Sequence, residues 1–156
     1  MPIAASVRQY LAREGVEYDT VTHSRTADSS HSAQAAHVPG DRLAKCVMLG
    51  DDNGYLMAVI PASHRLDLTA VRQELNRDLG LATEQEIMDI FKDCEPGAVP
   101  PLGCAYGIDV VLDQSLGDMP DAYFEGGDHE SLVHVSGRDF LKLMADAPRR
   151  IVSHRV

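Results

Sequence analysis

The chain has 156 residues, of which 44% are hydrophobic and 24% are charged, so we expect one globular domain over residues 1–156 with a sizeable core. Its 24 acidic residues outnumber its 14 basic ones, and the net charge of −10 argues against a DNA partner and leaves an RNA partner only a local basic patch. No apolar run approaches the roughly 20 residues of a membrane span, and no secretory leader is recognisable, so we expect a cytoplasmic protein without a membrane partner.

The N-terminal segment predicts a helix, a strand and a second helix. The apolar face of the first helix consists of Val7, Tyr10 and Leu11. Gly15 follows at the position where a glycine would cap the end of this helix. A short strand is predicted over residues 18–22 and a capped short helix over residues 30–38, which Pro39 and Gly40 would stop.

A β-hairpin is the clearest local signal in the chain. Residues 43–49 and 55–60 are apolar runs of strand length, separated by a short polar segment. The Asn53-Gly54 pair in that segment favours a hairpin turn, because both residues tolerate positive φ. Pro61 would end the second strand.

Three more helices are predicted after residue 66. Asp67 or Thr69 caps the first, and Thr83 and Glu86 have the spacing of a capping box that opens the second. Ser136 caps the third. The inward residues of these helices are, in order, Leu68, Val71 and Leu75; Ile87, Ile90 and Phe91; and Phe140, Leu143 and Met144.

Short strands lie between these helices. One is predicted to be half-buried, with Ile108, Val110 and Leu112 alternating with Asp109 and Asp113. Two others, near residues 122–124 and 131–135, flank a Gly-Gly turn. Strands and helices are interspersed without strict alternation and one hairpin is present, so the pattern predicts an α+β fold with a mixed sheet.

Lys45 interrupts an otherwise apolar strand. Because strand side chains alternate between faces, Lys45 shares one face with Leu43 and Val47, and the other face is equally apolar. One interpretation is a lysine at a strand edge that extends its ammonium group to water. The other is a lysine in a pocket wall, where a desolvated ammonium group binds an anionic ligand.

A loop rich in proline and glycine covers residues 94–103. Gly97 can adopt backbone angles that are closed to other residues, and Pro100 and Pro101 stiffen the segment that follows. A rigid loop of this kind can present backbone N–H and C=O groups to a ligand. The alternative is a plain connection between a helix and a strand, although the segment is longer than most such connections.

The segment Glu125-Gly126-Gly127-Asp128-His129 predicts a tight turn. Gly127 allows close approach of the backbone, and the imidazole of His129 can take part in acid–base chemistry near neutral pH. A surface turn with a solvated histidine is the alternative. His64, which follows Pro61, is a weaker candidate of the same kind.

Other catalytic chemistries find little support. The three cysteines lack the spacing of a zinc site or a disulfide framework, and Cys46 points away from Lys45, so it is predicted to be a small buried residue rather than a nucleophile. No Ser-hydrolase, zinc-protease, P-loop or dinucleotide motif occurs. No metal and no cofactor are therefore expected.

In this order and spacing, these features resemble the YbaK-like aminoacyl-tRNA editing domains, which are related to the editing insertion of bacterial prolyl-tRNA synthetases. The resemblance extends from about Ser6 to Met144. The segments that carry it are 43–45, 59–68, 81–84, 94–103 and the turn that ends at His129.

The resemblance implies a mixed, partly curled sheet flanked by helices around one pocket, and hydrolysis of the ester that joins a wrong amino acid to the 3′ end of tRNA. It implies that Lys45 is required for activity. Our hypothesis is that Lys45 contacts the 3′-terminal phosphate or the developing oxyanion, and that the substrate's own ribose hydroxyl is the base, with His129 assisting or only shaping the pocket. The residues that would bind substrate are Gly97, Ala98, Val99, Pro100, Pro101, His64 and Gly127. A small or polar amino acid is expected as cargo, because synthetases discriminate poorly among such side chains.

Two residues depart from the family pattern, Glu125 and Cys46, and both are expected near the pocket. A local basic rim of Arg42, His64 and Arg65 around Lys45 would contact the mischarged tRNA, and a synthetase or another translation factor is a further possible partner. The competing hypotheses are a non-catalytic module of the same fold, which binds an amino acid, a tRNA end or a protein, and a hydrolase of other small esters or amides.

Overall fold

In a computed structural model, which describes residues 3–23, 32, 36–95 and 97–156, the chain folds around one large sheet. The helices are α1 (Ala5–Arg13), α2 (Leu68–Leu75), α3 (Glu84–Ile90) and α4 (Gly137–Leu143). The strands are β1 (Asp19–Thr22), β2 (Leu43–Asp51), β3 (Gly54–Pro61), β4 (His64–Leu66), β5 (Gly80–Leu81), β6 (Asp109–Asp113), β7 (Asp121–Glu125), β8 (Ser131–Ser136), β9 (Arg149–Arg150) and β10 (Ser153–Arg155). The helix predicted over residues 30–38 lies mostly outside the described residues.

The sheet is mixed, as predicted. Its order is β1-β8-β7-β2-β3-β6-β9, with β5 attached to β2, and a separate ribbon joins β4 to β10. The pairs β2–β3, β7–β8 and β1–β8 are antiparallel, whereas β2–β7, β3–β6 and β6–β9 are parallel. The prediction of an α+β fold with a mixed sheet and flanking helices is confirmed.

Apolar residues cover both faces of the sheet. On one face, Ala44 and Met48 of β2 belong to a core that includes residues of α1 and α4. On the other face, Leu49 packs with Val71 of α2. The prediction that β6 is half-buried is wrong, because Val111 belongs to the second core and Asp113 is also buried.

Local sequence signals explain most helix starts. Asp67 caps α2 by accepting the N–H of Ala70, and Ser136 caps α4. The predicted capping box of α3 is present in full.

The hairpin turn lies one residue earlier than predicted. Asp51 pairs with Gly54, so Asp52 and Asn53 form the turn, and Gly54 has the positive φ of 131°. The Asp51 carboxylate accepts the N–H of Asn53 at 2.9 Å, which explains this placement. No helix among the described residues is long and apolar enough to cross a bilayer.

Candidate functional site

Lys45 lies in an open cleft of about 550 Å³ on one face of β2, which we call the Lys45 cleft. The residue is half-buried, and its Nζ donates to the carbonyl oxygen of Ala62 at 3.5 Å. The other residues that line the cleft are Val47, Ile60, Ser63, His64, Arg65, Leu66 and Val156. The cleft therefore surrounds an ammonium group with an apolar floor and a polar rim, as expected of a lysine in a pocket wall.

The chain path after β3 builds this cleft. Lys45 pairs with Ile60 in the hairpin register, and β3 ends at Pro61. The chain then turns back into β4, which brings His64 into the same cleft. The Nδ1 atom of His64 lies 2.8 Å from the hydroxyl oxygen of Ser153, and β10 pairs with β4 along the rim. The structure thus brings together Lys45 and His64, two of the predicted site residues.

The predicted basic rim is only partly available to a ligand. Arg42 forms an ion pair with Asp121 at 3.1 Å and does not line the cleft. Arg155 of β10, which sequence reasoning did not place here, pairs with His64 in the β4–β10 ribbon and forms an ion pair with Asp41 at 2.6 Å. Arg65 is exposed and lines the cleft, so it extends the positive charge of Lys45 toward solvent.

The proline-rich loop lies against the opposite face of β2. The thiol of Cys46 donates to the carbonyl oxygen of Val99 at 3.4 Å, and Cys46 and Lys45 point to opposite faces because they are adjacent in a strand. Gly97 is exposed with φ of 81°. The buried members among the described residues of the loop are Ala98, Val99, Pro100, Pro101, Leu102 and Gly103. The loop is therefore a packed wall rather than a loose connection.

His129 lies in the turn between β7 and β8, which we call the 125–131 turn. It is only 5% exposed and has φ of 63°, so the interpretation as a solvated surface histidine is wrong. Gly127 is buried with φ of 114°, and its carbonyl oxygen accepts the N–H of Glu95 at 2.8 Å. The start of the proline-rich loop is thereby joined to the 125–131 turn.

The two groups of residues border the same stretch of β2. Among the described residues, β7 pairs with β2 only at Leu43 and Ala44, on the edge of β2 that faces away from β3. The same edge pairs again at Leu49, this time with β5. This break in the pairing covers residues 45–48, which include Lys45 and Cys46, while the opposite edge of β2 stays paired with β3. Lys45 and His64 approach it from one face, and the loop approaches it from the other.

The thiols near the loop are poor nucleophiles. Burial raises the pKa of Cys46 to about 12, and the nearby Cys94 and Glu125 add to the effect. Burial also raises the pKa of Cys94 to about 12. Both thiols therefore stay protonated at neutral pH. Among the residues that the structure describes, no group of three or more His, Cys, Asp or Glu side chains could hold a metal ion.

Another cavity, of about 560 Å³, lies at the far end of β3, around Leu56. Its walls combine apolar residues such as Ile108 and Val110 with Arg77, Asp109 and Asp146. None of the residues predicted for the site lines this cavity. The Lys45 cleft has about the same volume, and it contains Lys45 and His64, whereas the proline-rich loop, Gly127 and His129 do not line it.

Two solved structures have the same fold. A protein described as a candidate trans-editing enzyme for prolyl tRNA synthetase superimposes with a TM-score of 0.81 at 23% identity, over 99% of this chain and 98% of that chain. The hypothetical protein APE2540 gives a TM-score of 0.83 at 22% identity, over 96% of this chain and 99% of that chain.

Sequence comparison identifies the family. Proline–tRNA ligase of Trichlorobacter lovleyi (strain ATCC BAA-1151 / DSM 17278 / SZ) is 30% identical in an alignment of 146 residues, which covers 88% of this chain but only 24% of the ligase. The chain thus spans about a quarter of the length of that curated relative. The family model of the aminoacyl-tRNA editing domain matches residues 23–143. With most of its length matched by that model, the chain belongs to the aminoacyl-tRNA editing domain family.

Proposed function

We propose that the chain is a deacylase, which hydrolyses the ester of a mischarged aminoacyl-tRNA and releases a small or polar amino acid without a metal ion. Residues 1–156 would act as one editing unit. Water adds to the ester carbonyl carbon, the bond from that carbon to the ribose oxygen breaks, and the products are a free amino acid and the hydroxyl group of the terminal adenosine.

The observation that carries the proposal is the position of Lys45. Its half-buried ammonium group lies in a cleft whose rim includes Arg65 and His64, and this arrangement fits a phosphate-bearing nucleotide better than a neutral ester. Lys45 would contact the 3′-terminal phosphate or the oxyanion that develops on the ester carbonyl. A fixed positive charge is sufficient for either role.

The opposite side of β2 would hold the amino acid. The 97–101 loop is packed against Cys46 and presents backbone groups, such as the carbonyl oxygen of Val99. An aminoacyl ester is already labile, so positioning the ester and a water molecule supplies much of the rate. A hydroxyl group of the substrate's own ribose can serve as the base, with His129 assisting or shaping the pocket.

A synthetase is the proposed partner in solution. The relative from Trichlorobacter lovleyi is a proline–tRNA ligase, and the matched segment is 24% of its length. The editing unit would act on tRNA that a synthetase has already charged. The net charge of −10 makes weak binding to tRNA alone the expected result, with the cleft as the local contact.

The test is a deacylation assay with tRNAs that carry alanine, serine, cysteine or threonine. Wild type should release at least one amino acid well above the uncatalysed rate, and Lys45→Ala should lose that activity, while Lys142→Ala, which removes an exposed lysine of α4, should retain it. If wild type shows no activity but still binds the charged tRNA, the non-catalytic module is the correct function. Activity on free aminoacyl esters alone would instead support a small-ester hydrolase.

A further inference from the structure

His64 is held at the Lys45 cleft by a residue that does not itself line the cleft. The Nδ1 atom of His64 lies 2.8 Å from the hydroxyl oxygen of Ser153, which is a normal hydrogen-bond distance. His64 is half-buried and lines the cleft, whereas Ser153 is not part of the lining. Ser153 therefore contacts the imidazole ring from outside the cleft.

The second ring nitrogen of His64 is left for a ligand. Its Nε2 atom makes no hydrogen bond to the described part of the chain. In a neutral imidazole one nitrogen carries the hydrogen and the other accepts, so a bond at Nδ1 decides the state of Nε2. When the hydroxyl group of Ser153 donates to Nδ1, Nε2 carries the hydrogen. His64 then offers an N–H donor in the same cleft as the ammonium group of Lys45.

The residue before Ser153 is fixed in the core. Val152 is fully buried, and its N–H donates to the carboxylate of Asp113 at 3.0 Å. Its carbonyl oxygen accepts the N–H of Asp67, the cap of α2, at 2.8 Å. Asp113 is itself only 3% exposed, and a buried carboxylate is costly unless it accepts such bonds. Ser153 consequently follows a backbone position that the core determines.

The β4–β10 ribbon places the two side chains on one face. Ser153 lies opposite Leu66, and Arg155 lies opposite His64. Because residues two apart in a strand share a face, Ser153 is the diagonal neighbour of His64. Arg155 also forms an ion pair with Asp41 at 2.6 Å, which ties β10 to the segment before β2. The ribbon thus holds the hydroxyl group beside the imidazole ring.

The cleft presents hydrogen-bond donors and no carboxylate. Among the described residues, none of those that line it is an aspartate or a glutamate, although the whole chain carries a net charge of −10. Lys45 and Arg65 supply two cations, and an N–H at Nε2 of His64 adds a third donor. Several N–H donors without a competing carboxylate match the oxygen atoms of a phosphate group.

We propose that His64 binds the 3′-terminal phosphate of tRNA through its Nε2–H, and that Ser153 is a positioning residue that orients the imidazole ring for this contact. The proposal rests on the deacylase function proposed above and names a second phosphate-binding side chain beside Lys45. Ser153 lies outside residues 23–143, which the family model matches. The orientation of His64 is therefore assigned to a strand that follows the matched region.

The first experiment measures binding without catalysis. Adenosine 5′-monophosphate carries the terminal adenosine with one phosphate, and adenosine is the probe without phosphate; NMR titration of the whole chain gives Kd for both. Ser153→Ala should weaken binding of the monophosphate about threefold to fivefold, the effect of one lost hydrogen bond, and leave binding of adenosine unchanged. Ser153→Thr, which keeps the hydroxyl group, should restore most of the affinity.

A double-mutant cycle tests whether Ser153 acts through His64. In a His64→Ala background, Ser153→Ala should change Kd for the monophosphate less than about twofold, because the ring that it orients is absent. His154→Gln is the matched control, since it removes the exposed imidazole next to Ser153, which does not line the cleft, and should leave Kd unchanged. Equal losses in both backgrounds, or a wild type that binds the monophosphate no better than adenosine, would overturn the proposal.

The second experiment is kinetic. With the best mischarged tRNA, Ser153→Ala should raise KM about threefold to fivefold and change kcat less than about twofold, because the phosphate contact is already made in the ground state. A fall in kcat with an unchanged Kd for the monophosphate would show that the ring acts on the ester, and the proposal would be wrong. If wild type deacylates no tRNA but the binding cycle gives the expected result, the deacylase function fails while the phosphate contact of His64 stands.

Discussion

The Lys45 cleft and the 125–131 turn both lie beside residues 45–48 of β2, where the pairing with β7 and β5 is interrupted, yet they differ in how deeply their polar groups are buried. In the cleft, the ammonium group is half-buried and Arg65 stays exposed at the rim. In the turn, Glu125 and His129 are 1% and 5% exposed. Exposed charges contribute little to folding and are available to a ligand, whereas buried polar groups affect both folding and the orientation of their neighbours. The cleft should therefore determine binding, and the turn should couple stability to chemistry.

The largest expected effect separates activity from stability in the cleft. Lys45→Met keeps the length of the side chain and removes its charge, so kcat/KM should fall about a hundredfold or more. The free energy of unfolding should change by less than about 0.5 kcal/mol, because the ammonium group is half-exposed. A rise in KM with kcat unchanged would indicate that Lys45 contacts the phosphate in the ground state, and a fall in kcat would indicate that it contacts the oxyanion.

Lys142→Met provides the reference for this measurement, since Lys142 is an exposed lysine of α4. Both variants are unfolded in urea and assayed on the same tRNA. If Lys45→Met also lowers the free energy of unfolding by several kcal/mol, the loss of activity follows from unfolding. The cleft then does not separate binding from stability as proposed.

The turn should show the reverse behaviour in Gly127→Ala. Gly127 has φ of 114°, and an added Cβ would lie 3.1 Å from the Cβ of Ala4 and 3.4 Å from the sulfur of Cys94. We expect a loss of about 2 kcal/mol in the free energy of unfolding, from backbone strain and crowding together. Gly80→Ala is the matched control, because a Cβ there meets nothing within 4 Å; equal losses in the two variants would show that the turn is not constrained.

Local signals account for the parts of the fold that were predicted correctly. The capping box at Thr83, the caps at Asp67 and Ser136 and the glycine after α1 each depend on a few neighbouring residues. The hairpin follows from two apolar runs, although Asp51 shifted its turn by one residue. These elements could be read from the sequence because their causes are local.

The site depends on contacts that no local pattern contains. His64 meets Ser153 across 89 positions of sequence, so the β4–β10 rim of the cleft was not predicted. The 125–131 turn that holds His129 is bound by distant segments, since the N–H of Ala4 donates to the carbonyl oxygen of Gly126 and the N–H of His23 donates to that of Glu130. Periodicity alone left Lys45 as a snorkelling residue or a pocket lysine, and only the resemblance and the cleft favour the latter.

A smaller effect is expected at the rim of the cleft. Arg65→Ala removes an exposed cation that lines the cleft, so KM for charged tRNA should rise about threefold to fivefold at low salt, and the dependence of KM on salt should become shallower. Arg8→Ala removes another exposed arginine, from α1, and should leave both unchanged. If the two variants behave alike, the rim does not contact phosphate.

The smallest expected effect is a pH dependence of stability that belongs to the turn. Because burial raises the pKa of Glu125 above its ordinary value of 4.5, the folded protein retains this proton at pH values where the unfolded chain has released it. The free energy of unfolding should therefore fall as the pH rises from 4.5 toward the folded pKa, by at most about 1.4 kcal/mol per pH unit, and then level off. Glu125→Gln cannot release this proton, so the variant should gain stability relative to wild type across that interval.

Urea denaturation at a series of pH values measures the difference in the free energy of unfolding between the variant and wild type, in which the contributions of the other titrating groups cancel. Glu130→Gln, with its exposed side chain, should run parallel to wild type; a Glu125→Gln curve that also ran parallel would place the carboxyl group in contact with solvent rather than inside the turn.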